Sequence, residues 1–195
     1  MAVMVTVLRE RQIAPVLDAL AQLRQVVFAQ WPYLYDGDAA YERDYVREFA
    51  AEPDSVLIAA RDGARIVGMA TASPMGAQKE AFRAPFAARG IDTGALFYFG
   101  ESVLLAPYRG QGIGHAFFDQ REACALAVGA RAACFAAVVR PEDHPDRPAD
   151  YRALDGFWRK RGYAPVEGLV TPFAWKDHRD EHESEKPMQF WLRHF

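Results

Sequence analysis

Residues 96–139 constrain the fold most. Leu96 to Leu105 is a long run of aromatic and branched residues that reads as a β-strand, and it leads directly into Arg109-Gly110-Gln111-Gly112-Ile113-Gly114. Gly112 to Val128 then has the length and apolar spacing of a helix, and Ala132 to Val139 is an uncharged, nearly all-apolar run. Strand, glycine turn, helix and buried strand in that order describe a β-α-β crossover, which demands a sheet with helices packed on it. Gly100 inside the first strand marks a bulge.

The flanking sequence extends this plan. Val3 to Leu8 reads as an opening strand, and Ile13, Val16, Leu17, Leu20, Leu23 and Val27 recur at helical spacing up to about Gln30. Trp31-Pro32-Tyr33-Leu34-Tyr35-Asp36-Gly37 interrupts that helix, and Asp38 suits the cap of a second one reaching about Ala50. Asp62-Gly63 joins strand-like runs at 55–61 and 64–72 as a hairpin. Gln78 to Arg89 reads as a helix, and so does Tyr151 to Arg161, closed by Gly162. Pro141, Pro145 and Pro148 keep the segment between Val139 and Tyr151 irregular, while late strands near 169–175 and 188–194 flank a charged segment, Lys176 to Lys186, expected to be a solvated hairpin loop.

At 195 residues the chain is expected to form one domain spanning 1–195. A formal net charge of -3 argues against a dedicated nucleic-acid binder. No apolar run approaches the roughly 20 residues of a membrane span, so no membrane partner is expected. Cys124 and Cys134 lack metal or disulfide spacing and His144, His178, His182 and His194 have no ligand-like arrangement, so the expectation is a cytoplasmic protein without a metal.

A glycine-rich turn opening a helix presents unpaired amides and the positive end of the helix dipole, a natural seat for phosphate. Gly114 is followed by His115-Ala116 rather than Lys-Ser or Lys-Thr, which excludes a nucleoside-triphosphatase loop, and the alternating Gly110, Gly112 and Gly114 do not fit the dinucleotide fingerprint. The bland alternative is a simple turn. Arg109, Gly112 and Gly114 instead match arginine or glutamine, two residues, glycine, any residue, glycine or alanine: the segment resembles the signature of the GNAT superfamily of acyl-CoA N-acyltransferases. Its approach, Glu101-Ser102-Val103-Leu104-Leu105-Ala106-Pro107-Tyr108-Arg109, looks like that family's fourth strand with one residue fewer before the loop, and Phe157 to Tyr163 looks like its closing helix and Gly-aromatic step.

The resemblance implies an α/β fold with a central mixed β-sheet, splayed fourth and fifth strands, and helices on both faces. It implies acetyl-CoA or another acyl-CoA as co-substrate, its pyrophosphate on Arg109, Gly110, Gln111, Gly112, Ile113 and Gly114 with His115 beside them, and its pantetheine along Val103, Leu104 and Leu105. An acetyl or other short acyl group would pass directly to a primary amine on a small molecule or peptide, with no covalent enzyme intermediate and no metal. The loop between the first two helices would border the acceptor, which nominates Trp31, Tyr33, Tyr35 and Asp36. Trp158 stands where the family often has a tyrosine acid, leaving it to packing or the pantetheine channel, and Arg152 replaces a frequent asparagine; Tyr151 is the remaining candidate for an acid.

Glu101 is the candidate base. Counting in twos along the strand sets Glu101, Val103 and Leu105 on one face, with Phe97 and Phe99 expected to share the burial of the carboxyl. An ordinary outward-facing strand residue is the alternative. A non-catalytic acyl-CoA-binding module and a regulatory module for another phosphorylated ligand also stay open, as does a homodimer.

Overall fold

The structure, a computed structural model, describes residues 3–8, 10–52 and 54–195. Strand β1 (Met4–Leu8) precedes a short helix α1 (Glu10–Ile13), a tight 3₁₀ turn at Ala14–Val16, and helix α2 (Leu17–Phe28). The single long helix expected here is thus broken, because Pro15 has no N–H with which to continue an α-helical ladder. Helix α3 (Ala39–Ala51) begins where Asp38 accepts hydrogen bonds from the amides of Ala40 and Tyr41, both at 2.9 Å.

Strands β2 (Val56–Asp62) and β3 (Arg65–Pro74) form the hairpin that Asp62-Gly63 announces, and β1 pairs antiparallel with β2. Helix α4 (Glu80–Ala87) carries Pro85 in its interior; the carbonyl of Ala81, which Pro85 cannot bond, accepts the Thr171 hydroxyl at 2.7 Å instead. Then come β4 (Leu96–Leu104), α5 (Ile113–Ala127), β5 (Ala132–Val138), α6 (Asp155–Lys160), β6 (Ala164–Trp175) and β7 (Ser184–His194). The seven strands run in the order β1-β2-β3-β4-β5-β7-β6, antiparallel except for β4 beside β5.

Two differences from the sequence reading matter for the site. The closing helix starts at Asp155, which leaves Tyr151 in the preceding loop. The segment expected to be solvated contributes Ser184 to Lys186 to β7, and Asp177 and Lys186 are buried at 7% and 5% exposure because they answer a buried arginine, Arg140, described below.

The core divides between the two faces of the sheet. Under α5, Phe97, Phe99, Phe117, Phe118, Phe135, Tyr163 and Trp191 form one apolar mass; under α2 and α3, Leu20, Leu23, Val46, Leu57, Met69 and Val103 form another, and a third cluster around Phe82, Phe86 and Phe190 packs beneath α4. Side chains of this size contribute roughly 1.5–3 kcal/mol each when buried, which anchors the helices on both sides of β4.

Candidate active site

Parallel pairing of β4 with β5 covers only Leu96↔Ala132, Phe97↔Ala133 and Tyr98↔Cys134. Beyond Tyr98, β4 stays bonded to β3 as far as Leu104, while β5 stays bonded to β7 as far as Val138. The sheet therefore opens between 99–104 and 135–138.

A bulge lies at the mouth of this opening. In the β3–β4 register Ala70 faces Ser102 and Ala72 faces Phe99, so Gly100 and Glu101 together oppose Thr71. A Cβ at position 100 would fall 2.4 Å from the Thr71 hydroxyl, so only glycine admits that approach, and Thr71 Oγ1 in turn accepts the Glu101 amide at 2.9 Å. The extra residue reverses the alternation of β4. Phe97 and Phe99 face α5, whereas Glu101 and Val103 face α2.

Glu101 accordingly lies apart from the two phenylalanines expected to surround it. Its carboxylate, with the side chain 9% exposed, pairs with the guanidinium of Arg24, which also pairs with the fully buried Glu42. Arg24 stacks on Tyr45 at 4.0 Å and lies over Phe28 at 5.1 Å. Tyr35 completes the group: burial first, and then its hydrogen bond to Glu42, raise the pKa of its hydroxyl well above the usual range for tyrosine. One cation thus faces two carboxylates, and Glu101 Oε1 has no hydrogen-bond partner among the described residues.

At the far end of β4 the chain passes through a 3₁₀ turn at Ala106–Tyr108 into the glycine loop. Gly110 and Gly112 have φ of +75° and +84°, and Gly112 caps α5 in the left-handed conformation. Among the described residues, the amides of Gly110, Gln111 and Gly112 donate to no acceptor, and the first amides of α5 follow on behind them. Side chains brace the loop: Arg109 Nε donates to Leu104 O at 3.1 Å, its Nη2 to Gln30 Oε1 at 2.9 Å, and Gln111 Nε2 to Pro107 O at 2.9 Å. His115 is exposed one turn into α5, with Nδ1 3.3 Å from Arg161 Nη1 and its ring against Phe157. Ile113 is buried in the core below.

The remaining nominated residues fall into two places. Val103 is buried under α2, Leu104 packs on the α5 side, and the Leu105 amide bonds Val67 O at 3.0 Å, so β4 meets the opening with its backbone. Trp158 lies in the gap's floor against Phe135 and Trp191, each 5.0 Å away between ring centroids. Tyr151 stands with the loop before α3, its ring 5.8 Å from that of Trp31, which also contacts His144 at 5.0 Å; burial chiefly raises its pKa.

That loop is held by residues the sequence reading did not single out. Arg140 donates to Pro32 O at 2.8 Å and Tyr33 O at 2.7 Å, and forms a two-pronged ion pair with Asp177 at 2.7 and 2.9 Å. Trp175 Nε1 donates to Tyr33 O at 2.9 Å, and Lys186 lies 3.3 Å from Asp177. Burial raises the Tyr33 hydroxyl to about 12. Asp36 is exposed and paired with Lys176 at 2.7 Å, so its charge is already met. No local pattern signals the contacts to the Pro32 and Tyr33 carbonyls, since they join positions more than 100 residues apart.

The acetyltransferase (GNAT) family profile matches residues 20–149. An aminoglycoside 6'-N-acetyltransferase crystallised with coenzyme A superimposes with a TM-score of 0.62 at 17% identity, covering 98% of this chain and 96% of that one. A GCN5-related N-acetyltransferase from Kribbella flavida gives 0.63 at 18% identity over 100% and 98%, and an aminoglycoside 6'-N-acetyltransferase from Enterococcus faecium gives 0.62 at 15% over 98% and 96%. No curated protein matches the sequence.

Proposed function

The chain belongs to the acetyltransferase (GNAT) family, and from that membership we propose that it is an N-acyltransferase moving an acetyl or other short acyl group from acyl-CoA directly to a primary amine. The observation that carries this reading is the alignment of an opened β4–β5 seam with a glycine loop whose amides are unpaired. An extended chain bearing amides fits the free backbone edges, and a pyrophosphate fits the amides of Gly110, Gln111 and Gly112 and the positive end of α5. Arg109, Ile113 and Gly114 shape that cradle, and His115 stands beside it with its ring against Phe157. Val103, Leu104 and Leu105 offer the pantetheine contacts, and Trp158 forms one wall.

Glu101 is the base in this reading. It stands at the mouth of the opening with one unpartnered oxygen, and its cluster holds two carboxylates against one guanidinium, a surplus of negative charge suited to an ammonium group. Its role is to accept the proton that the ammonium must lose before nitrogen can attack. Trp31, Tyr33 and Tyr35 supply an aromatic wall for the acceptor, and Tyr151, beside Trp31, belongs to that wall rather than to the thioester end. Asp36 contributes weakly because of Lys176.

Release of free thiol from acetyl-CoA in the presence of a panel of amines tests this function. Turnover with at least one amine is expected. Saturable acetyl-CoA binding without turnover across the panel would instead favour a binding module, the reading to which the tryptophan at position 158 lends some weight.

A further inference from the structure

Among the described residues, Arg121 is the one large charged side chain in the α5-side core that the proposed chemistry has not used. It is 1% exposed, and among the described residues it makes no ion pair. Its Nε donates to Phe117 O at 3.3 Å and its Nη1 to Glu101 O at 3.5 Å, while Nη2 has no hydrogen-bond partner. Burying an unmatched guanidinium is costly, and removing only its charge would relieve the fold. Burial lowers its pKa to about 10, which still leaves it cationic at neutral pH. Two ring faces, two carbonyls and the nearby Glu122 charge compensate this guanidinium in part, but no carboxylate among the described residues touches it, and a cation kept at that cost in an aromatic core points to a function.

Its position supplies one. Phe99 and Phe135 are the first residues past the last β4–β5 pair, and the Phe118 ring meets both, at 5.8 and 5.9 Å, so Phe118 bridges the opening from beneath. The Arg121 guanidinium lies 4.6 Å from the ring centres of both Phe99 and Phe118. Glu101 projects to the other face, toward α2. The opening therefore has a negative cluster on the α2 side and a cation without an ion pair on the α5 side.

Resting on the acyltransferase reading above, we propose that Arg121 is a positioning residue whose buried charge stabilises the negative charge that develops on the thioester during transfer. In that step the amine lone pair forms the C–N bond while the carbonyl π electrons move onto oxygen. Their return breaks the C–S bond, whose electron pair leaves on sulfur, and the nitrogen sheds its second proton to water, Glu101 having already taken the first from the ammonium. Nothing in this sequence needs a tyrosine acid, because the departing thiolate is held by charge rather than by an immediate proton. The Nη1 contact to the Glu101 carbonyl also fixes the bulge from below, as Thr71 fixes it from the strand side.

Arg121→Met, which keeps the stem and removes the charge, tests this, with Arg121→Lys as the charged companion. Expected for Arg121→Met are a melting temperature equal to or above that of the parent, unchanged acetyl-CoA affinity by calorimetry, and kcat lower by about 10- to 100-fold. Arg121→Lys should recover part of that loss. Undiminished kcat in a folded Arg121→Met protein would overturn the proposal, and so would a loss that merely tracks unfolding or weakened acetyl-CoA binding. A parent protein with no turnover toward any amine would remove the acyltransferase reading, and this role with it.

Discussion

Glu101 shows how one residue's chemistry depends on a single inserted position. Its type and its place ahead of the glycine loop were legible in the sequence, and so was the bulge at Gly100. What could not be read was the consequence of combining them: the bulge turns Glu101 away from Phe97 and Phe99 and sets it against Arg24, a residue 77 positions earlier. The setting is therefore ionic, and the proposed basicity rests on Glu42 sharing the same guanidinium. Glu101→Gln keeps the shape and removes the proton acceptor. Acetyl-CoA affinity should stay as in the parent while kcat falls by about 10²- to 10⁴-fold near neutral pH. Part of the loss should return at high pH, where the amine loses its proton unaided. A pH–rate profile that overlays the parent's would reduce Glu101 to a strand residue, and a circular dichroism melt guards against the case in which loss of the buried pair simply unfolds the protein.

Among the elements, those with strong local signals were read correctly: the Asp62-Gly63 hairpin, the Asp38 cap and the crossover through α5 each depend on neighbours within a few residues. The Trp31–Gly37 loop and the β6–β7 hairpin were read less well, because each is shaped by the other. Arg140, two residues past the end of β5, reaches the carbonyls of Pro32 and Tyr33 and closes on Asp177. A charged run that looked solvated thus contains the anchor of the Trp31–Gly37 loop, the one proposed to border the acceptor. Burial raises the pKa of Asp177, but Arg140 and Lys186 lower it by more, so that it ends below its ordinary value. A depressed folded-state pKa means that the stabilisation is present above the unfolded value, about 3.9, and fades as pH falls through the folded one. Asp177→Asn should therefore be less stable than the parent by about 1–3 kcal/mol at pH 7, with urea midpoints converging below about pH 4. It should also raise KM for the amine while leaving that for acetyl-CoA unchanged. A gap between midpoints that persists undiminished at pH 3 would show that the carboxylate's charge is not what holds the loop.

For the whole molecule, the opening follows from how the sheet is assembled. Strands β1 to β4 form one antiparallel run and β5, β7 and β6 another, and the two meet in only three residue pairs, Leu96↔Ala132, Phe97↔Ala133 and Tyr98↔Cys134. The apolar cluster beneath α5 takes Phe97 and Phe99 from one half and Phe135 and Trp191 from the other, so side chains hold the halves together where backbone pairing has ended. The aromatic contacts of Phe118 with Phe99 and Phe135 prop the strands from one side without closing their backbones together. Edges of this kind carry unpaired N–H and C=O groups, which exchange with water until something pairs with them. If acyl-CoA acts as an added strand, its binding should protect a narrow band of amides rather than the sheet at large. Hydrogen exchange read by mass spectrometry, with acetyl-CoA at 100 times its Kd, should slow about tenfold or more in 99–105 and in the 110–115 loop. The β1–β2 pair should change little in the same early time window, because the general stabilisation of about 2.7 kcal/mol at that saturation affects only exchange through global unfolding. Protection confined to 110–115 would place the phosphates as proposed but leave the β4 edge unpaired. Equal protection in β1–β2 and β4 at early times would mean that the ligand tightens the fold as a whole and does not complete the sheet.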